Sequence, residues 1–197
     1  MAISGYITPV IYLDPSGELG ILFWLVVSGL ILCASTSAGG YVAAAVMSIW
    51  DEEVREDMND IGWNPFNSDE SLVAGSNKVS FYKGQFVIRG DFKISNNRSF
   101  SFGIMFLDRS INDTAYGRDT VKYEWDHFVQ LGIVGIPKFL GFYAVPSMLS
   151  KSKNYYSLPW ERSADLIGGV SGSYWGVPHT PSSGFYSVLY LIGIFVL

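Results

Sequence analysis

From Gly20 to Trp50 no side chain carries a charge, and this run constrains the chain more than any other feature. About 20 apolar residues of helix suffice to cross the hydrocarbon core of a bilayer, so the run is long enough for a span. Its most hydrophobic part, Ile21 to Ala34, is short for that purpose. The small and polar residues Ser35 to Gly40 then separate it from Tyr41 to Trp50. Two arrangements fit: a membrane-spanning or membrane-inserting helical segment over residues 20–50, and two helices packed as a buried hairpin. Orientation is not readable, because Arg55 is the first basic side chain and acidic residues say little about topology.

The remainder is large enough for one domain with its own core, since the whole chain has 197 residues. Its formal net charge is -5. The basic residues are scattered, and no stripe is present that would neutralise a run of phosphates, which argues against nucleic acid as a partner. Cys33 is the only cysteine, so an intrachain disulfide and a cysteine-based zinc cluster are both excluded.

Ahead of the apolar run, residues 1–19 read as a turn-bearing tail. Val10 to Leu13 is followed by Asp14-Pro15-Ser16-Gly17, the residue types that close a strand. No basic region precedes the short apolar stretch, so a cleaved signal peptide fits poorly. After the run, the acidic segment Asp51 to Asp60 opens a solvated stretch, and Trp63 to Asn67 breaks any helix there. Lys78 to Phe81 and Gln85 to Arg89 alternate about Lys83-Gly84, which predicts a tight hairpin. Phe102 to Leu107 is expected as a third strand. The linker Asp108 to Asp119 leads to Thr120 to Val134, whose apolar residues recur at helical spacing. Phe139 to Leu149 and Pro159 to Gly168 are further helices, the last opening on a first-turn proline and closing on Gly168-Gly169. Strands followed by helices make the fold class α+β, with a small β-sheet followed by helices that would carry the site. The uncharged tail 185–197 is too short to span a bilayer alone.

Chemistry concentrates in Tyr123-Glu124-Trp125-Asp126-His127. On a helix, Tyr123 and His127 lie one turn apart on one face with Glu124 beside them. This is the layout of HExxH, in which two histidines hold zinc and the glutamate is the general base toward the metal-bound water. Glu161 and Asp165 are likewise one turn apart on their own helix, where one carboxylate can complete a metal site and the other can orient a ligand. Taken alone, the Glu-x-x-His spacing is common and reads more readily as a surface acid with a half-buried histidine than as a metal site. His179, in a Gly/Ser/Pro-rich stretch, reads as a loop residue.

Thr120 to His127 resembles the TVRHEYGH or TVKHEWGH segment of zincin-like domains at the C-termini of RHS-repeat proteins of the polymorphic-toxin type. Ile61 to Asn67, Lys78 to Gly84, Ser101 to Leu107, and Tyr155-Tyr156 through Pro159-Trp160-Glu161 to Val170 resemble the same domain, so the likeness covers about residues 48–170. Separately, Pro9 to Gly17 resembles the PxxxxDPxG element that closes the RHS-associated core. The resemblance implies a gluzincin-type zinc metallopeptidase domain over residues 51–184, carried as the tip of an effector. Its partners would be a membrane, a protein substrate or an immunity protein, and its location membrane-associated or secreted.

By the same resemblance Glu124 would be the catalytic base and His127 and Glu161 the zinc ligands. The family's first ligand histidine is Tyr123 here, and its motif glycine is Asp126. A neutral phenol must lose a proton to bind zinc well, so the expected state is a catalytically impaired or inactive domain. The resemblance also places Asp165 where it would accept a hydrogen bond from the Tyr123 hydroxyl. The alternatives are an active zinc peptidase with Tyr123 as third ligand, and a delivery role for the apolar N-terminal segment.

Overall fold

The computed structural model describes residues 18–92, 99–149 and 158–170. The sequence elements expected over residues 1–17 and 185–197, together with His179, lie outside these.

The uncharged run forms one continuous helix, α1, over Glu18–Trp50, and the hairpin of two helices expected as its rival is overturned. The reason lies in Ser35 to Gly40, whose small residues looked like an interruption. They are instead a contact surface. Gly40 lies so close to Phe86 that a Cβ would sit 2.2 Å from its ring, and the hydroxyls of Thr36 and Ser37 reach the carbonyls of Gly103 and Gly84. Among the described side chains of α1, the buried positions are all small: Gly29, Cys33, Gly40, Ala44 and Ser48. They recur at intervals of three to four residues or their multiples, which makes one helical stripe.

Four strands form a mixed sheet in the order β1-β2-β4-β3, with β1 over Val79–Tyr82, β2 over Gln85–Gly90, β3 over Ser99–Phe102 and β4 over Ile104–Asp108. The hairpin predicted at Lys83-Gly84 is present, and both residues have positive φ, 45° and 86°. Two successive left-handed residues make the turn whose twist matches antiparallel strands. The third strand expected at Phe102 to Leu107 is present as β4, and a further strand, β3, precedes it antiparallel, because Gly103 turns the chain at φ 74° between the two. β4 then pairs in parallel with β2.

The acidic segment is also a helix, α2, over Glu52–Asp60. It is solvated on one side only. Val54 and Met58 join Ala44, Val79, Phe81 and Phe86 in a core between α1, α2 and the sheet. Asp57 is buried there and accepts hydrogen bonds from the backbone N–H groups of Lys78 and Val79, at 2.7 and 3.1 Å, which ties α2 to the start of β1. A short helix, α3, spans Glu70–Ala74.

The long helix α4 covers Ala115–Val134 and begins inside the stretch expected as linker. Thr114 caps it, its hydroxyl accepting from the Gly117 N–H at 3.1 Å. After Gly135, Pro137 opens α5 over Ile136–Phe139, followed by a π-helical segment over Leu140–Ala144, α6 over Val145–Leu149, and α7 over Pro159–Gly168.

Helices α1 and α4 run antiparallel in close contact: Leu25 meets Gly135, Gly29 meets Leu131, and the Cys33 thiol points at the Phe128 carbonyl. A Cβ on Gly29 would lie 2.2 Å from the Leu131 carbonyl oxygen. Gly29→Ala is therefore expected to push the helices apart and lower the unfolding free energy by about 2 kcal/mol, the scale of overpacking a well-filled interface. Urea denaturation checks this, and an unchanged midpoint would show that the crossing tolerates a methyl group.

Candidate functional site

Helix α4 packs against β3 on one side and α7 on the other. Its period puts Tyr123, Glu124 and His127 toward a cleft of ≈ 290 Å³ whose other walls are β3 and the run from Phe139 to Met148. Pro159 occupies the first turn of α7 and costs no hydrogen bond there, and Glu161 follows within that turn, fully buried.

Glu161 is the hub. One carboxylate oxygen lies 3.2 Å from His127 Nε2 and accepts a hydrogen bond from the Tyr123 hydroxyl. The other accepts from Ser147, whose oxygen accepts in turn from Trp160 Nε1 at 2.7 Å. The hydrogen bond expected between Tyr123 and Asp165 is thus made to Glu161 instead. One turn further along α7, Asp165 acts on Asp126.

His127 Nδ1 lies 2.8 Å from Gln130 Oε1. The orientation of that amide is set by its other end, because Gln130 Nε2 donates to the Trp160 carbonyl at 2.9 Å and to Ser163 Oγ at 2.6 Å. Oε1 therefore faces the imidazole, and Nδ1 must donate. With Nε2 directed at a carboxylate, both ring nitrogens donate and the ring is an imidazolium. Burial would push its pKa down, but the hydrogen bond and charge of Glu161, the charge of Glu124 and the Gln130 contact raise it to about 10. Burial pushes Glu161 up, yet the His127 charge and the bonds from His127, Ser147 and Tyr123 hold it below the usual carboxylate range.

The two other acids are raised. Glu124 is moved to about 7 by burial first and by Glu161, against the opposing His127 charge and a 2.7 Å hydrogen bond from Ser99. A carboxyl at that pKa beside a cleft can take or give a proton near neutral pH. Asp126 is fully buried, and neither of its carboxylate oxygens has a hydrogen-bond partner. Burial, with Asp165 adding to it and His127 opposing, lifts it to about 8.

The structure thus brings together Tyr123, Glu124, His127 and Glu161, and sets Asp126 and Asp165 apart from them. Three partners were missed in the sequence. Gln130 had a usable signal, since it stands three residues after His127 on one helix face. Ser99 and Ser147 had none, because nothing local marks a serine that will meet an acid from another element. Among the described residues no group of three or more His, Cys, Asp or Glu side chains is placed to hold a metal ion.

Compared with protein-family models, with curated proteins and with solved structures, the chain finds no match in any of the three.

Proposed function

We propose that the chain is a catalytically silent relative of the gluzincin-type zinc peptidases, of the kind carried by RHS-type effectors, and that a hydrogen-bonded ion pair has taken over the position of the metal centre. The observation that carries this reading is the closed cluster of Tyr123, His127 and Glu161. The two strongest potential ligands are spent on each other, and the third group is a neutral phenol whose hydroxyl donates a hydrogen bond to Glu161. Zinc sites in hydrolases generally use three protein ligands and a water. This set offers one imidazole and one carboxylate, so the residues present do not fit a zinc ion. What persists is the cleft with Glu124 and Ser99 at its wall, which suits a binding role toward a protein partner.

One observation favours the second reading, an active zinc peptidase with Tyr123 as third ligand. The 3.2 Å between His127 Nε2 and Glu161 is close to the separation, roughly 3.3 Å, of two donors about 2.0 Å from one tetrahedral ion. Separation is thus no obstacle, and the donor set decides between the readings.

Elemental mass spectrometry on the full chain, purified without added zinc and again after zinc loading, separates them. The expected result is well under about 0.1 zinc per chain in both samples and a melting temperature indifferent to chelator. About one zinc per chain, lost in His127→Ala, would overturn the proposal. Tyr123→His combined with Asp126→Gly is expected to bring zinc binding back, because it restores the imidazole and removes the buried acid.

A further inference from the structure

Helix α1 is apolar in an inverted sense. Its packed stripe consists of small residues, while its large side chains face outward: Ile21, Trp24 and Ile31 are 62, 68 and 60% exposed. A helix stabilised in water buries its large apolar residues and exposes polar ones. Small residues inside and large ones outside is the arrangement of helices packed within lipid. The exposed apolar surface does not end at α1. Beyond Gly135, which touches Leu25, the chain continues into α5, the π-helical segment and α6, where Phe142, Met148 and Leu149 are 55, 71 and 73% exposed. Over residues 19–50 no side chain is charged, and over 128–149 Lys138 is the only charged one. Most of the other acids and bases lie on α2, α3, the strands and their loops, the first half of α4 and α7, and in the sequence Lys151 and Lys153 follow just after Leu149.

Helix α1 is long and apolar enough over Phe23–Trp50 to cross a bilayer, but a span would conflict with its contacts as folded. From Leu25 to Ala44 it lies along α4 and the sheet, so a crossing would carry open sheet edges and ion pairs into hydrocarbon, where no water satisfies them. Entry by the N-terminal tip would bury Glu18. Neither difficulty applies to a helix lying in the interface plane with its outer side about 5–10 Å deep. There Trp24 stands at the level such side chains favour, and Lys138 has a stem long enough to reach the headgroups.

We propose that the protein is monotopic: residues 21–31 of α1 and 140–149 lie in one leaflet of a bilayer, and the charged part of the domain remains in water. Leu140 and Met148 belong both to this surface and to the wall of the cleft. The site therefore opens beside the lipid.

Flotation of the full chain with phosphatidylcholine vesicles tests this. A neutral lipid is chosen because the surface has almost no charge, and binding is expected to survive about 1 M salt. Ile31→Glu and Met148→Glu, both at exposed positions, should leave the melting temperature unchanged and each weaken partition at least about tenfold. Val46→Glu, on the second exposed patch of α1 near the acidic α2, should float as the parent does.

Absence of flotation, unaltered flotation of the Ile31→Glu/Met148→Glu double variant, or equal loss in Val46→Glu would each overturn the proposal. So would a vesicle-free dimer that the double variant dissociates, which would make a second copy the occupant. Protection of a Phe142→Cys thiol from a water-soluble maleimide in the monomer without vesicles would do the same, and would assign the cover to the chain's own segment 185–197.

Discussion

Glu161→Ala is expected to lower the unfolding free energy by about 3–5 kcal/mol, the range for removing one partner of a buried ion pair. Glu161 is fully buried and accepts from His127, Tyr123 and Ser147, so its loss removes the carboxylate bonded to the imidazolium and leaves only the Glu124 charge to oppose burial. The folded protein has one escape, which is for His127 to give up a proton. Its pKa of about 10 should then fall below the ordinary value of roughly 6.5, because burial, now weakly opposed, disfavours the charged ring. Urea denaturation gives the energy and the imidazole resonances give the titration. A loss under about 1 kcal/mol, or a histidine still charged at pH 9 in the variant, would mean that Glu161 is not what holds the imidazolium. Replacing both members with leucine should recover part of the loss, since an apolar pair carries no desolvation cost.

Asp126→Asn is expected to act in the opposite direction and to stabilise the protein by about 2–3 kcal/mol near pH 8, since the shift costs about 5 kcal/mol there and a buried amide without hydrogen-bond partners offsets about half of the gain. In the native protein the carboxyl titrates at about 8 when folded and near 3.9 when unfolded. Below the lower value it is protonated in both states and contributes no pH dependence. Between the two, the unfolded chain releases the proton while the folded one keeps it, so stability falls as pH rises.

Glu124, raised to about 7, adds a fall in the same direction. The contribution of His127 is complete below about 6.5 and is lost as pH rises through about 10. Glu161, lowered by folding, works on the acid side, where its contribution is lost as pH drops through its folded value. The protein should therefore be most stable at mildly acid pH, and Asp126→Asn should flatten the decline between pH 4 and pH 8. An unaltered pH profile in the variant would show that Asp126 is ionised in the folded state.

If zinc measurements bear out the proposed loss of the metal centre, Asp126 gains a physical reading. A buried acid with no partner is a standing cost, and at that position the resembling family has glycine. Such a residue is compatible with a site no longer required to hold an ion.

Local sequence by itself determined the pieces and the face each one offers. Periodicity put Tyr123, Glu124 and His127 together on α4, the Lys83-Gly84 pair determined the hairpin, and a first-turn proline with a closing glycine bounded α7. These features are readable because they depend on residues within a turn or two of one another.

Only the tertiary structure decided which faces meet. Ser35 to Gly40 is as good a turn as it is a helix surface until the sheet packs against it, and Phe86 filling the space over Gly40 decides for the helix. Glu161 and Asp165 stand one turn apart on the same helix, and the docking of α7 on α4 decides that Tyr123 and His127 meet the first and Asp126 the second. The outward large residues of α1 have the same origin. A period shows that a stripe exists, but the side on which the backbones can approach closely depends on glycines of both partners, Gly29 on α1 and Gly135 at the end of α4. That is a property of the pair, and neither segment carries it alone.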